Sequence, residues 1–192
     1  MHKTVQNLIS IQNQIKSKLV DLNVKERIPK IIAVSKTFKI DHILPLIEYG
    51  HSDYGENKVQ EALEKWTDVK NQNNKINLHL IGKLQTNKVK FAVKIFDYIH
   101  SLDNEKLAKK ISDEQQKQNK KPKVFIQINL GEEDQKSGIL INDLIEFYNY
   151  SKNLNLNIIG LMCIPPFNED STKFFQKMSE LNEKINKKEL SM

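Results

Sequence analysis

Lys30-Ile31-Ile32-Ala33-Val34-Ser35 follows Pro29 and runs directly into Lys36. The unbroken apolar run from Ile31 to Val34 suits a strand buried on both faces, as in a parallel sheet. Upstream, Leu8, Ile11, Ile15, Leu19 and Leu22 recur at helical intervals, which predicts one helix over 3–23. Downstream, the two patterns alternate. Residues 40–49 read as a helix stopped by Gly50, with Pro45 obscuring where it starts. Strands are expected at 52–54, 78–81 (closed by Gly82), 98–100, 124–129 and 158–162. Helices are expected between and after them, at 57–67, 86–94, 104–118, 141–152 and 170–187. Leu190-Ser191-Met192 reads as a further strand that has just begun. Strand-helix alternation means parallel α/β. With no dinucleotide fingerprint, the count favours a TIM-type (β/α) barrel over a doubly wound sheet. One domain is expected over 1–192, since no linker or low-complexity break interrupts the pattern.

Composition narrows the function classes. The chain has 192 residues, 39% hydrophobic and 28% charged, with a net charge of +6 and a pI near 9.2. That charge does not read as a nucleic-acid surface. Arg27 is the only arginine, and the lysines are spread along the chain. A dedicated phosphate-reading face favours arginine, whose planar fork binds phosphate through two bonds. Cys163 is the only cysteine, so no intrachain disulfide can form, and no Cys/His cluster has zinc-ligand spacing. The amphipathic N-terminus lacks the apolar core of a signal peptide, and no stretch approaches the ~20 apolar residues of a membrane helix. The expected setting is the cytoplasm, and the expected state is a monomer.

In a barrel of this kind the chemistry sits at the C-terminal ends of the strands. Lys36 follows the first strand, Gly55-Glu56-Asn57 the second, and the Gly82–Lys88 segment the third. Asn129 ends the fifth strand, and Met162-Cys163 the sixth. A lysine just beyond a buried strand can have its amine kept neutral by desolvation and neighbouring cations, and a neutral amine attacks a carbonyl to form a Schiff base. The commoner case is a lysine capping a strand end in solvent. His79, within an apolar strand, reads more readily as a satisfied core histidine than as a catalyst. Asn57 fits a pocket or a helix N-cap about equally well. Met162 suits core packing better than ligand contact. Cys163 has no base nearby in sequence to activate it. Gln85-Thr86-Asn87-Lys88 can begin a helix whose amides face an anion, although simple capping accounts for it slightly better.

Taken together, these segments resemble the YggS/PROSC family of pyridoxal 5'-phosphate (PLP) homeostasis proteins. The pieces are Ala33-Val34-Ser35-Lys36-Thr37, Gly55-Glu56-Asn57-Lys58-Val59-Gln60-Glu61, and His79-Leu80-Ile81-Gly82-Lys83-Leu84-Gln85-Thr86-Asn87-Lys88. His100-Ser101-Leu102-Asp103, Gln127-Ile128-Asn129, Lys136-Ser137-Gly138 and Gly160-Leu161-Met162-Cys163-Ile164-Pro165 follow in order. Each is weak alone, but the ordered set is specific and spans nearly the whole chain.

The resemblance implies a barrel like the N-terminal domain of alanine racemase. It implies that Lys36 bonds the PLP aldehyde as a Schiff base, that Asn57 lies in the pocket, and that Met162 lines the cofactor. It also implies a role in carrying and buffering PLP rather than catalytic turnover. The family continues past Leu190-Ser191-Met192 into a Gly-Met-Ser segment and a final strand bearing an arginine, which supply most of the phosphate cup. Against eight strands, the rest of the seventh and the eighth are then lacking, roughly one and a half. Ser191 is the remaining residue expected to reach the cofactor from that side, so PLP binding is expected to be weak and poorly selective for the phosphate. The alternatives are a PLP-dependent amino-acid racemase, for which the chain lacks room for a second β-rich domain, and a non-binding remnant of the fold.

Overall fold

The computed structural model describes residues 1–24, 28–131, 137–166 and 169–192. Arg27 and Lys136 of the sequence argument lie outside the described residues. Seven strands form one sheet: β1 (Ala33–Val34), β2 (Asp53–Glu56), β3 (Asn77–Leu80), β4 (Tyr98–Leu102), β5 (Lys123–Gln127), β6 (Asn157–Met162) and β7 (Glu189–Ser191). They are parallel and neighbours in chain order, β1 to β7. Helices α1 (Lys3–Asp21), α2 (Ile40–Glu48), α3 (Val59–Gln72), α4 (Val89–Ile95), α5 (Glu105–Gln118), α6 (Leu144–Asn153) and α7 (Ser171–Lys184) alternate with them. This is the curled parallel sheet of the (β/α)-barrel class, with β1 and β7 at its two edges.

The expected elements are all present. The strand expected at 30–35 is the main departure. Only Ala33 and Val34 are strand, and Val34 is 49% exposed rather than buried. β1 is an edge strand paired only with β2, through Ala33↔Tyr54 and Val34↔Gly55. Ala33 packs on the main core, so the alternation of side chains turns Val34 to the opposite face. Pro45 is accommodated inside α2 without ending it. The helix ends as expected at Gly50, whose φ is +96°. The Gly50 N–H donates to the Ile47 carbonyl and the His51 N–H to that of Leu46, the paired bonds of a Schellman cap.

The sheet has two chemically different faces. Leu78, Leu80, Ile99, Val124, Ile126 and Leu161 join helix residues such as Trp66, Ala92 and Ile111 in one large core. The other face carries a small separate cluster, Tyr98, Phe125 and Met162 with Ile159 packed on it. It also carries a polar chain described below.

Gly160 is where β7 comes closest to β6. A Cβ there would lie 1.8 Å from the Glu189 carbonyl oxygen. Gly160→Ala therefore forces β7 off its register and is expected to destabilise the fold by about 1–3 kcal/mol, as overpacking does. Urea unfolding measures this, and an unchanged midpoint would contradict the close packing.

Candidate functional site

Lys36 stands in a turn fixed on both sides by α3. Before it, the Ser35 N–H donates to the Gly55 carbonyl at 2.9 Å, continuing the β1–β2 ladder. The Ser35 hydroxyl donates to Glu56 Oε1 at 2.7 Å. The same oxygen accepts from Lys65 Nζ and Trp66 Nε1, each at 2.9 Å. Glu56 is fully buried, and the Tyr54 and Trp66 rings beside it are 4.7 Å apart. Lys65 Nζ also donates to the Ser35 carbonyl at 2.8 Å. Ser35 thus faces the helices, and the next residue, Lys36, is exposed in the turn that follows.

Asn57 follows β2 as Lys36 follows β1. It is not the helix cap that the sequence left open, because α3 begins at Val59 with Lys58 in the N-cap position. Its half-buried side chain makes no hydrogen bond to the described residues. Gly82 lies against it: a Cβ there would sit 2.4 Å from the Asn57 carbonyl oxygen, so glycine is needed for this approach. Met162 and Ser191 occupy the far side of the sheet and face each other in the β6–β7 register. Met162 is 5% exposed and packs on Tyr98 and Phe125. The four residues therefore form two neighbouring pairs, Lys36 with Asn57 and Met162 with Ser191, all at the C-terminal ends of their strands. The pairs stand at opposite ends of the strand order.

Sequence reasoning missed what lies between them. Lys30 Nζ donates to Asp53 Oδ1 at 3.0 Å. His79 Nε2 lies 3.0 Å from the same oxygen. His79 Nδ1 lies 2.9 Å from His100 Nε2, and His100 Nδ1 lies 2.7 Å from the Ser191 hydroxyl. Asp53 can only accept, which fixes the direction for neutral rings. His79 donates to Asp53, His100 to His79, and Ser191 to His100. The expected cofactor contact Ser191 thus has its hydroxyl proton engaged within the protein. The histidines stack on neighbours, His79 on Tyr98 at 4.1 Å and His100 on Phe125 at 4.5 Å between ring centroids. His79 is the satisfied core histidine that its apolar strand suggested, but nothing in sequence pairs it with Asp53 and His100, 26 and 21 residues away.

The remaining candidates are quickly placed. Thr86–Lys88 is a 3-10 turn leading into the short helix α4, and its Gln85 cap makes no side-chain hydrogen bond. Gln127 donates to the Ser137 carbonyl at 3.2 Å, which ties the Ser137-Gly138 piece alongside β5. Burial pushes the Cys163 thiol up to about 11, consistent with an inert core cysteine. No group of residues suited to a metal ion occurs among the described residues, and no described helix is long and apolar enough to cross a membrane.

Fold and motifs agree with what known proteins show. Residues 13–191 match the family described as alanine racemase, N-terminal domain. A pyridoxal phosphate homeostasis protein of Pasteurella multocida is 35% identical over 184 residues, covering 94% of this chain and 79% of that protein. Its counterpart in Haemophilus influenzae is 36% identical over 184 residues, covering 93% and 77%. The structure of PipY from Synechococcus elongatus with PLP bound superposes with a TM-score of 0.77 at 29% identity, covering 93% of this chain and 88% of that one. The chain belongs to the alanine-racemase N-terminal-domain family, among its pyridoxal phosphate homeostasis proteins.

The histidine chain sets a pH dependence. Burial lowers His79, outweighing the opposing hydrogen bond to Asp53. Burial, and next the neighbouring His79, push His100 down to about 3. Burial alone would raise Asp53, but hydrogen bonds from His79, Ser52 and Lys30 outweigh it and hold the carboxyl well below the usual carboxylate range. Folded His100 resists protonation until about 3 and His79 is shifted in the same direction, whereas unfolded imidazoles take up protons near pH ~6.5. The unfolded state then binds more protons, so stability is complete above that pH and falls as the solution is acidified. The expected loss from His100 is about 1 kcal/mol per pH unit below that point, and His79 adds in the same direction. Urea unfolding between pH 7.5 and 5 should show it, with a shallower slope in His100→Gln; equal slopes would contradict the assignment.

Proposed function

We propose that this chain binds PLP covalently through Lys36 and serves PLP homeostasis as a carrier or buffer of the cofactor. The observation that supports this reading most is that Lys36 is an exposed lysine in a turn held on both sides by α3, directly after β1 as Asn57 is directly after the neighbouring β2. PLP supplies a reactive aldehyde. The Lys36 amine is the nucleophile that condenses with it, releasing water. Asn57 has a half-buried amide free to donate, and Met162 offers an apolar wall with Tyr98 and Phe125 behind it. Ser191 accompanies Met162 at the mouth, where its hydroxyl oxygen, with its proton given to His100, acts as an acceptor. The relatives named pyridoxal phosphate homeostasis proteins and the PLP-bound PipY structure support the cofactor's identity. The proposed setting is a monomer in the cytoplasm.

Two experiments test this. Added PLP should give an absorbance band near the edge of the visible range, and borohydride should fix the label on Lys36. Labelling spread over surface lysines and unchanged in Lys36→Ala would refute the assignment. Amino-acid racemisation is not part of this reading, because two-base proton transfer needs a second acid/base group across the cofactor from the lysine. L-Alanine with PLP and the protein should yield no more D-alanine than the Lys36→Ala control. Saturable, Lys36-dependent D-alanine formation would favour the racemase instead.

A further inference from the structure

The residue after Lys36 is in an unusual conformation. Thr37 has φ +67°, the only β-branched residue with a positive φ among the described residues. The left-handed region suits glycine and asparagine; a β-branched residue there is strained. The other positive-φ residues fit that rule, being asparagines (Asn23, Asn119, Asn155, Asn186) or glycines. The Phe38 N–H donates to the Ser35 carbonyl at 3.2 Å, which closes a β-turn with Lys36 second and Thr37 third. Lys36 is not among the positive-φ residues, so the turn has the signs of type II, whose third position favours glycine. Strain of this sort persists only where the surroundings over-determine it.

The surroundings here are one carboxylate. The Thr37 N–H donates to Glu61 Oε1 at 2.7 Å. Glu61 projects from the first turn of α3, and the same oxygen lies 3.3 Å from Lys65 Nζ one turn along. Lys65 in turn grips the Ser35 carbonyl. Two adjacent turns of α3 therefore hold the peptide groups on either side of Lys36. Of the two contacts, the one from Glu61 falls on the strained residue.

We infer that Glu61 is a positioning residue for Lys36: by accepting the Thr37 N–H it holds the strained turn that directs the lysine away from α3 and over the strand ends. This rests on the reading that Lys36 carries the cofactor. Without the acceptor, Thr37 can relax to negative φ, and the turn that orients Lys36 is released. The partly exposed Glu61 belongs to the surface of the clamp rather than the core, so the fold survives its replacement. A role through negative charge is separable from a role through geometry, since glutamine keeps an oxygen that can accept the Thr37 N–H.

The test uses the full chain with Glu61→Ala, Glu61→Gln, and Glu61→Ala combined with Thr37→Gly. PLP is titrated by absorbance, and thermal unfolding is followed alongside. Glu61→Ala should weaken PLP binding about tenfold, the loss of one good hydrogen bond's influence on the turn, with little change in unfolding temperature. Glu61→Gln should bind nearly as wild type. Adding Thr37→Gly should recover most of the loss, because glycine adopts the turn without strain. Hydrogen exchange at the Thr37 amide, measured without PLP, should show protection in wild type and Glu61→Gln and none in Glu61→Ala. Unprotected Thr37 in wild type, undiminished PLP binding in Glu61→Ala, a glutamine variant as weak as alanine, or no recovery with Thr37→Gly would each overturn the inference. If wild type fails to label at Lys36, the cofactor reading fails instead, and the exchange data still decide whether the clamp exists.

Discussion

The Glu56 carboxylate joins three pieces of the fold at one oxygen. Ser35 reaches it from the end of β1, while Lys65 and Trp66 reach it from α3, and Glu56 itself ends β2. Glu56 and Trp66 are fully buried there and Ser35 and Lys65 nearly so, beside the Tyr54 and Trp66 rings, which tilt 40° to each other. A buried charge in such a place is tolerated only when paired and hydrogen-bonded, and removing one partner leaves the others stranded. The consequence is positional. Ser35 and Glu56 each immediately precede a residue at the mouth, Lys36 and Asn57. Anchoring the first two to one point on α3 sets the spacing of the second two.

Alternation along each strand converts that anchoring into a division of labour. Residues turned toward the helices make one apolar core, and residues turned the other way make the small Tyr98–Phe125–Met162 cluster and the polar chain. On that second face the Lys30–Asp53–His79–His100–Ser191 chain starts just before β1, crosses β2, β3 and β4, and ends on β7, which is not a sheet neighbour of β4. Every donor in it points toward Asp53, and all four ring nitrogens of His79 and His100 are paired within the protein. Such chains rigidify when complete and are costly when broken. It stiffens the interior between the Lys36–Asn57 pair and the Met162–Ser191 pair.

Much of this was legible in the residues. Apolar runs at Leu78–Ile81, Val124–Ile128 and Ile158–Met162 gave strands at those places, and the amphipathic repeat from Leu8 to Leu22 gave α1, because burial and periodicity are local properties. The positions of Lys36 and Asn57 just past β1 and β2 were also legible, while their part in holding the cofactor is what we propose. The edge exposure of Val34 was not, because an apolar run does not show which strands border it. The histidine chain and the Glu61–Thr37 bond escaped for a different reason. Their partners are fixed by sheet register and helix docking, and Thr37 gives no sign of a left-handed backbone, which in sequence is marked by glycine or asparagine. Ser191 was read as part of a strand just beginning, and it does lie in β7, but its hydrogen-bond partner lies 91 residues away.

The account stands on Lys36 as the covalent point of attachment, held at the mouth by α3. The most direct measurement is a crystal structure of the chain grown with PLP. Continuous density from Lys36 Nζ to the cofactor, with Asn57 alongside and the Ser35–Glu56 and Thr37–Glu61 bonds intact, is the result predicted. Cofactor density joined to another lysine, or lying on the helix-covered face of the sheet, would contradict it.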